Sequence, residues 1–177
     1  MGPNLIIADF PVQWTVGDSA QLYTGGIDIV IPSQRMIPAT LLQSKVKNRN
    51  LNRIHYLMAN IELSNYKSRN PWALLLDRDG FISEGTGSDF CLVRKGCIYT
   101  PEPRNILRGI SRDYVIELAG DLGIPLVERN LEPCDIHMAD GAFFSCMPFS
   151  IAPATRFRGS DIGDGKVGPV YSRLIER

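Results

Sequence analysis

The chain has 177 residues, of which 44% are hydrophobic and 21% are charged, so it can form one domain with a substantial core. Its 19 basic and 19 acidic residues balance without a one-sided block, which gives no reason to expect nucleic acid or an anionic membrane as a partner. No apolar run approaches the roughly 20 residues that cross a bilayer, and the N-terminus lacks the pattern of a signal peptide. We therefore predict a cytoplasmic protein, and a small-molecule substrate is left open.

The first forty residues contain two strand patterns around one short helix. "PNLIIADFPV" and "IDIVIPS" are rich in β-forming residues, and "GDSAQLYTGG" places capping and stop residues around a helix. Two strands and one helix make a poor core, so they either pack onto the later part of the chain or belong to a domain whose beginning is absent. We predict that residues 1–38 are the remnant of a small N-terminal domain, with apolar surface exposed between Leu5 and Ile31, and that residues 39–46 are an interdomain linker.

A helix of about three turns is predicted beyond Lys47, ending between Asn65 and Pro71. If the helix reaches back to Lys47, this lysine lies on the buried stripe, where desolvation favours the neutral amine that a Schiff-base nucleophile needs. The alternative is a lysine at a helix end whose stem covers apolar surface while its charge stays in water. The residues of the predicted stripe are Leu51, Ile54, Met58 and Ile61.

Two hairpin patterns come after this helix. "ALLL-DRDG-FISEG" turns at Asp79-Gly80, and "FCLV-RKG-CIYT" turns where Gly96 can take a positive φ, so together they predict a small antiparallel sheet. "GISRDYVIELAGDLGIP" predicts a helix with Ser111 as N-cap and Gly123 as C-cap. "GAFFSC" predicts a strand, and a terminal helix comes after the glycine-rich "IGDGKVG".

The four cysteines indicate no crosslink. They lie far apart without a paired C-x-x-C spacing, which favours reduced, mostly buried thiols over disulfides or zinc, and we predict no metal site. The cysteines are Cys91, Cys97, Cys134 and Cys146.

Two further segments could bind a ligand. Glu84 ends a strand in "SEGTGSDF" beside two glycines, so its carboxylate could accept a hydrogen bond from a heterocycle. In "LRGIS", the backbone N–H groups of Gly109, Ile110 and Ser111 at a helix start could hold a phosphate. The alternatives are a surface glutamate in a glycine turn and an ordinary N-cap.

The order and the sequences of these segments resemble those of the fold-type IV pyridoxal phosphate enzymes, the branched-chain and D-amino-acid aminotransferase family. The resemblance rests on "FISEGTGSDF", on "YTP" followed by "ILRGISRDYVIELA", and on "IAPAT" and "IGDGKVGPV", and it covers nearly the whole chain. It implies an α+β fold in which residues 47–177 form the large C-terminal domain of the D-amino-acid aminotransferase-like fold, with antiparallel hairpins packed with helices. It also implies pyridoxal 5'-phosphate as cofactor and a homodimer.

The resemblance also implies roles for individual residues. Glu84 would bond the pyridine nitrogen, residues 109–111 would hold the phosphate, and Leu107 would pack on the cofactor ring. Met147 stands where many relatives have a threonine that touches the phosphate, so Ser145 or backbone could substitute.

Two alignments disagree on the Schiff-base lysine. Counting forward from "IPSQRMIP" gives Lys47, whereas counting back without a gap from "NRIHYLMANIE" gives Arg49. We predict Lys47, because an arginine cannot do this chemistry, and we rank Lys45 third.

The predicted activity is transamination of an amino acid or amine with a 2-oxo acid. The alternatives are a lyase similar to the family's aminodeoxychorismate lyases and a non-catalytic fragment with a relic cofactor site. Because the family's N-terminal domain carries the phosphate arginine and part of the substrate pocket, we expect this chain to be a truncated form that is inactive alone, binds the cofactor weakly and associates with itself.

Overall fold

The computed structural model describes residues 20–47, 49–147 and 149–177, together with residues 5, 7, 9 and 11. Five helices lie in the described part of the chain: α1 Ala20–Gly25, α2 Arg49–Leu63, α3 Ile110–Asp121, α4 Pro133–His137 and α5 Pro169–Ile175. The strands are β1 Ile27–Val30, β2 Pro71–Leu76, β3 Ile82–Gly85, β4 Asp89–Arg94, β5 Cys97–Pro101, β6 Leu126–Arg129, β7 Gly141–Cys146, β8 Ser150–Phe157 and β9 Ser160–Asp161. Among the described helices, none combines the length and the apolar character needed to cross a membrane.

All nine described strands belong to one mixed sheet with the order β3-β2-β1-β8-β7-β4-β5-β6, in which β9 pairs with β8. Both predicted hairpins are confirmed: β2 pairs with β3 and β4 with β5, each antiparallel. Lys95 and Gly96 both have positive φ, at 52° and 73°, as a tight hairpin turn requires. The sheet is larger than the predicted small antiparallel one and is mixed, because parallel pairs of β1 with β2 and β8 join the hairpins.

Strand β1 lies in the interior of this sheet. Ile27 and Ile29 have no exposed surface, so the predicted exposure of the segment up to Ile31 is wrong for this strand. Leu5 and Ile7 are 86% and 85% exposed, and the rest of the first predicted strand lies outside the described residues. Strand β1, before residue 38, and strand β2, after it, are neighbours in the same sheet. The division of the chain into domains stays a prediction.

Side chains cover both faces of the sheet, because successive residues of a strand point to opposite sides. On one face, Phe144 packs against Phe90, with ring centroids 5.4 Å apart. On the other face, Phe143 packs with Tyr171 of α5 and with the buried residues of α3. Helix α3 therefore lies over β4 and β7, and its first turn faces the start of β4.

Helix α2 packs on the sheet through a different face from the predicted one. Ala59 and Leu63 are buried against β1 and β2, whereas Ile54, Met58 and Ile61 are 62%, 50% and 58% exposed. The prediction of a buried stripe is wrong for these three, because the helix has apolar side chains on two faces and periodicity cannot tell which face meets the sheet. The side chains of residues 49–53, including the predicted Leu51, lie outside the described residues.

Helix α3 begins two residues earlier than predicted. Gly109 is the N-cap, so the prediction of Ser111 as N-cap is wrong, and Gly123 follows the C-cap Leu122 with φ +64°. Arg112 in the first turn is only 2% exposed and donates hydrogen bonds to Thr100 Oγ1 at 3.3 Å, to the Pro101 carbonyl oxygen at 3.1 Å and to the Glu128 carboxylate. These bonds fix the start of α3 against β5 and β6.

Candidate active site

Glu84 is a buried carboxylate on β3, only 6% exposed, so the alternative of a surface glutamate is wrong. Its Oε1 accepts a hydrogen bond from Tyr56 Oη of α2 at 2.8 Å, and its Oε2 accepts one from the Leu107 backbone N–H at 2.8 Å. A carboxylate offers about four acceptor positions, so two remain for a further donor. The sequence analysis missed Tyr56, because no motif marks which side chain of α2 reaches β3.

The charge on Glu84 depends on opposing influences. Burial raises its pKa, while the hydrogen bonds from Leu107 and Tyr56 and the positive charges of Lys45 and Lys47 oppose the rise. Burial and the negative charge of Glu84 raise the pKa of Tyr56, so its hydroxyl keeps the proton that it donates. Tyr56 thus stabilises the ionised form of Glu84.

The loop of residues 102–109, between β5 and α3, delivers Leu107 to Glu84. Ser83 Oγ donates to the Asn105 carbonyl oxygen at 2.9 Å, and Asn105 Nδ2 donates to Asp77 Oδ2 at 3.1 Å. The loop is therefore tied to the β2–β3 hairpin at Asp77, in the turn, and at Ser83, the residue before Glu84. Leu107 contacts Glu84 through its backbone N–H, and its implied packing on a cofactor ring stays a prediction.

The two lysines before α2 differ in their contacts. Lys45 Nζ donates to the carbonyl oxygens of Arg104 at 3.1 Å and Ile106 at 3.0 Å, which binds it to the same loop. Burial and the nearby charge of Arg108 lower the pKa of Lys45. Lys47 is exposed and precedes α2, so its predicted place on a buried helical stripe is wrong, since the helix begins only at Arg49. The side chain of Arg49 lies outside the described residues.

The start of α3 faces a second buried carboxylate, which the sequence analysis missed. A Cβ atom on Gly109 would overlap the Asp89 carboxylate, with its carbon Cγ only 3.0 Å away. Asp89 is 7% exposed and pairs across β4 and β7 with Ser145, which has no exposed surface. Among the described residues, neither Asp89 Oδ1 nor Ser145 Oγ has a hydrogen-bond partner. The only sequence signal was the position of Asp89 inside "SEGTGSDF".

Asp89 titrates far from its usual range. Burial raises its pKa from 3.8 to about 7, and the negative charge of Glu84 adds to the rise, while the positive charge of Arg112 opposes it. This carboxyl therefore changes its charge near neutral pH, against Gly109 at the N-terminus of α3.

Met147 lies at the surface. It is 83% exposed and lines an open pocket of about 360 Å³ together with Asn60, Trp72 and Phe149. Among the described residues, that lining includes neither Glu84 nor residues 109–111. No group of three or more His, Cys, Asp or Glu side chains within the described ranges could hold a metal ion.

The arrangement can bind an anionic heterocycle. Glu84 can accept a hydrogen bond from a ring N–H, and the first turn of α3 offers backbone N–H groups and a partial positive charge to a phosphate. The unpaired Ser145 Oγ and Asp89 Oδ1 add polar atoms below that turn. These residues fit a phosphorylated pyridine, because they offer an acceptor for the ring N–H and donors for the phosphate.

Comparisons with known proteins agree with this geometry. The family model for amino-transferase class IV matches residues 2–157. A putative branched-chain-amino-acid aminotransferase of Methanocaldococcus jannaschii is 36% identical over 176 residues, which are 99% of this chain and 58% of that protein. The branched-chain-amino-acid aminotransferase of Escherichia coli K12 is 32% identical over 173 residues, which are 97% of this chain and 54% of that protein.

Solved structures show the same likeness. The T.th. branched-chain amino acid aminotransferase with pyridoxamine 5'-phosphate has a TM-score of 0.82 and 30% identity, covering 89% of this chain and 51% of that one. The Thermobaculum terrenum enzyme in its PLP form has a TM-score of 0.81 and 29% identity, with the same coverage. These likenesses confirm the predicted fold class. This chain spans about half the length of the solved relatives.

Proposed function

Since this chain belongs to the class IV aminotransferase family, we propose that it carries the cofactor-binding part of a pyridoxal phosphate-dependent aminotransferase. The observation that carries the proposal is the buried Glu84 carboxylate, held by Tyr56 and Leu107 with acceptor positions left for a ring N–H. Both relatives are named branched-chain-amino-acid aminotransferases, which supports branched-chain amino acids and their 2-oxo acids as substrates. The homodimer and the cytoplasmic location remain parts of this proposal.

The residues at the site would hold the cofactor at two ends. Glu84 would accept a hydrogen bond from the pyridine nitrogen, and Leu107 would pack on the ring. Gly109, Ile110 and Ser111 would donate backbone N–H groups to the phosphate, with Ser145 below them. When bound, pyridoxal phosphate supplies an electron sink for reactions at the α-carbon of an amino acid.

A lysine amine would attach the cofactor and then move a proton. We propose Lys47 Nζ for both tasks, because its exposed side chain can move towards the ring. An amine acts as a nucleophile or a general base only in its unprotonated form, so Lys47 must lose its proton first. Lys45 is the competing candidate, since its amine already contacts the loop that carries Leu107. Burial and Arg108 lower the pKa of Lys45 towards the neutral amine, but its two contacts to carbonyl oxygens must break before that amine can attack the cofactor's carbonyl group.

The attachment site can be tested by borohydride reduction of the chain after incubation with pyridoxal phosphate, followed by peptide mapping. We expect the label on Lys47, its loss in Lys47→Ala and its retention in Lys45→Ala, because the amine of Lys45 is bound to the carbonyl oxygens of Arg104 and Ile106. Because Lys45 and Lys47 lie two residues apart, one peptide can contain both, and fragmentation of that peptide in the mass spectrometer must show which lysine carries the label. A label on Lys45 would refute the assignment, and no label on any lysine would contradict the proposed function.

The role of Glu84 can be tested with Glu84→Gln in the full-length protein. We expect single-turnover proton abstraction from the amino acid to slow by more than about tenfold, because the neutral amide no longer favours a protonated pyridine nitrogen. Cofactor affinity should fall much less, since the phosphate contacts remain. Tyr56→Phe is the matched control: it removes one hydrogen bond and keeps the carboxylate. Equal rates in Glu84→Gln and the parent would show that Glu84 has another role.

A further inference from the structure

The Asp89 carboxylate lies against Gly109, the N-cap residue of α3. Gly109 leaves room for Asp89, whose Oδ1 has no hydrogen-bond partner among the described residues although the side chain is more than nine-tenths buried. The Oγ of Ser145, directly opposite on β7, is also buried and unpaired. Two unpaired polar atoms below a twelve-residue helix indicate a site that is completed by a ligand.

An ionised Asp89 and an external anion would compete for the same positive potential. The N-terminus of a helix carries a partial positive charge equivalent to roughly half an elementary charge, which falls off within the first turn. An ionised carboxylate buried against Gly109 offsets that partial charge and repels a second anion. A protonated Asp89 leaves the potential available and offers an O–H donor.

We propose that Asp89 gates anion binding at the start of α3: an external anion binds when Asp89 carries a proton and is opposed when Asp89 is ionised. The inference rests on the proposed function in one respect, since it takes residues 109–111 as the phosphate-binding turn. It adds a residue and a pH dependence that the phosphate role alone does not contain.

The charged groups around Asp89 act in opposite directions on its protonation. Glu84 on β3 and Asp113 on α3 favour the protonated form, while Arg112 on α3 and Lys47 before α2 favour the ionised form. With a pKa of about 7, the protonated fraction falls from about nine-tenths at pH 6 to about one-tenth at pH 8. Other titratable groups that act electrostatically with Asp89 are Tyr56, Cys91 and Cys146.

Sulfate is the suitable probe, because its charge does not change between pH 6 and pH 8. The 177-residue chain is titrated with sodium sulfate at constant ionic strength, and the backbone amide NMR signals of Gly109, Ile110 and Ser111 are followed. We expect the sulfate dissociation constant to rise about tenfold from pH 6 to pH 8, in proportion to the loss of the binding-competent form. In Asp89→Asn, which is uncharged at both values, it should change less than about twofold.

The outcomes separate this inference from the proposed function. Equal pH dependence in the parent and in Asp89→Asn would overturn the gate and leave the phosphate turn standing. Absence of sulfate shifts at residues 109–111 at both pH values would overturn the anion site and the gate together, while labelling by pyridoxal phosphate under those conditions would keep the proposed function.

A second measurement needs no variant. Because linkage is reciprocal, saturating sulfate must raise the pKa of Asp89, which is read from the pH titration of its ¹³C carboxyl signal. We expect a rise of more than about one pH unit, because an anion that binds almost only the protonated form shifts the pKa by the logarithm of its affinity ratio for the two forms. An unchanged carboxyl titration in saturating sulfate would overturn the gate even if Asp89→Asn failed to fold.

Discussion

Asp89→Asn should stabilise the chain relative to the parent by about 2–3 kcal/mol more at pH 8 than at pH 5. Burial raises the pKa of this carboxyl from 3.8 to about 7, so the unfolded chain releases the proton first as the pH rises. The stability contributed by the proton is complete below about pH 4 and is lost as the pH rises to about 7. About three pKa units, at about 1.36 kcal/mol each, give about 4 kcal/mol in full.

Urea denaturation of the parent and the variant at both pH values measures this difference. Asp121→Asn is the matched control: it makes the same chemical change at the exposed C-terminal end of α3, and its effect should be nearly the same at pH 5 and pH 8. If the parent and Asp89→Asn differed by the same free energy at both values, Asp89 would not titrate in this range.

Gly26→Ala should lower the free energy of unfolding by about 2–4 kcal/mol, the sum of an unfavourable backbone conformation and a steric clash. Gly26 has φ +70°, and an added Cβ would lie 2.8 Å from the Cβ of Thr155 on β8. Thr155 cannot move aside, because it is buried and its Oγ1 donates to the Gly25 carbonyl oxygen at 3.1 Å. Relief requires β1 and β8 to separate.

Gly96→Ala is the control for the backbone part of this effect. Gly96 has almost the same φ, +73°, and nothing lies within 4 Å of an added Cβ. It should cost only about 1–2 kcal/mol, so the difference between the two variants measures the clash with Thr155. Urea midpoints with unchanged slopes provide both values. Equal losses at the two positions would mean that the sheet adapts around Thr155 at no cost.

Local sequence patterns predicted the elements that depend on local interactions. The β2–β3 and β4–β5 hairpins were found from Asp79-Gly80 and Gly96, because a tight turn restricts the residues that can form it. The parallel pairs of β1 with β2 and β8 were not found, since such pairs join distant segments and leave no turn signature. The burial of Arg112 was missed for the same reason: its partners lie on β5 and β6.

The candidate site was predictable where a motif carried it. Glu84 and residues 109–111 were recognised from "FISEGTGSDF" and "ILRGIS", and the structure places Glu84 beside the loop that leads to α3. Tyr56 and Asp89 were not, because their roles follow from burial and from distances across the fold. A sequence does not show whether a carboxylate will have a partner.

The place of β1 in the sheet also sets the order in which this chain can fold. Its neighbour β8 lies far along the chain, as the hydrogen bond between residues 130 positions apart at this junction shows. During synthesis the two hairpins can form as soon as they emerge, because their contacts are local. Strand β1, with Ile27 and Ile29, can pair with β8 only after residues 150–157 have been synthesised. Until then β1 can pair on only one side, with β2. Closing the middle of the sheet is therefore a late step, and a nascent chain that pauses before β8 exposes an apolar strand edge to other chains.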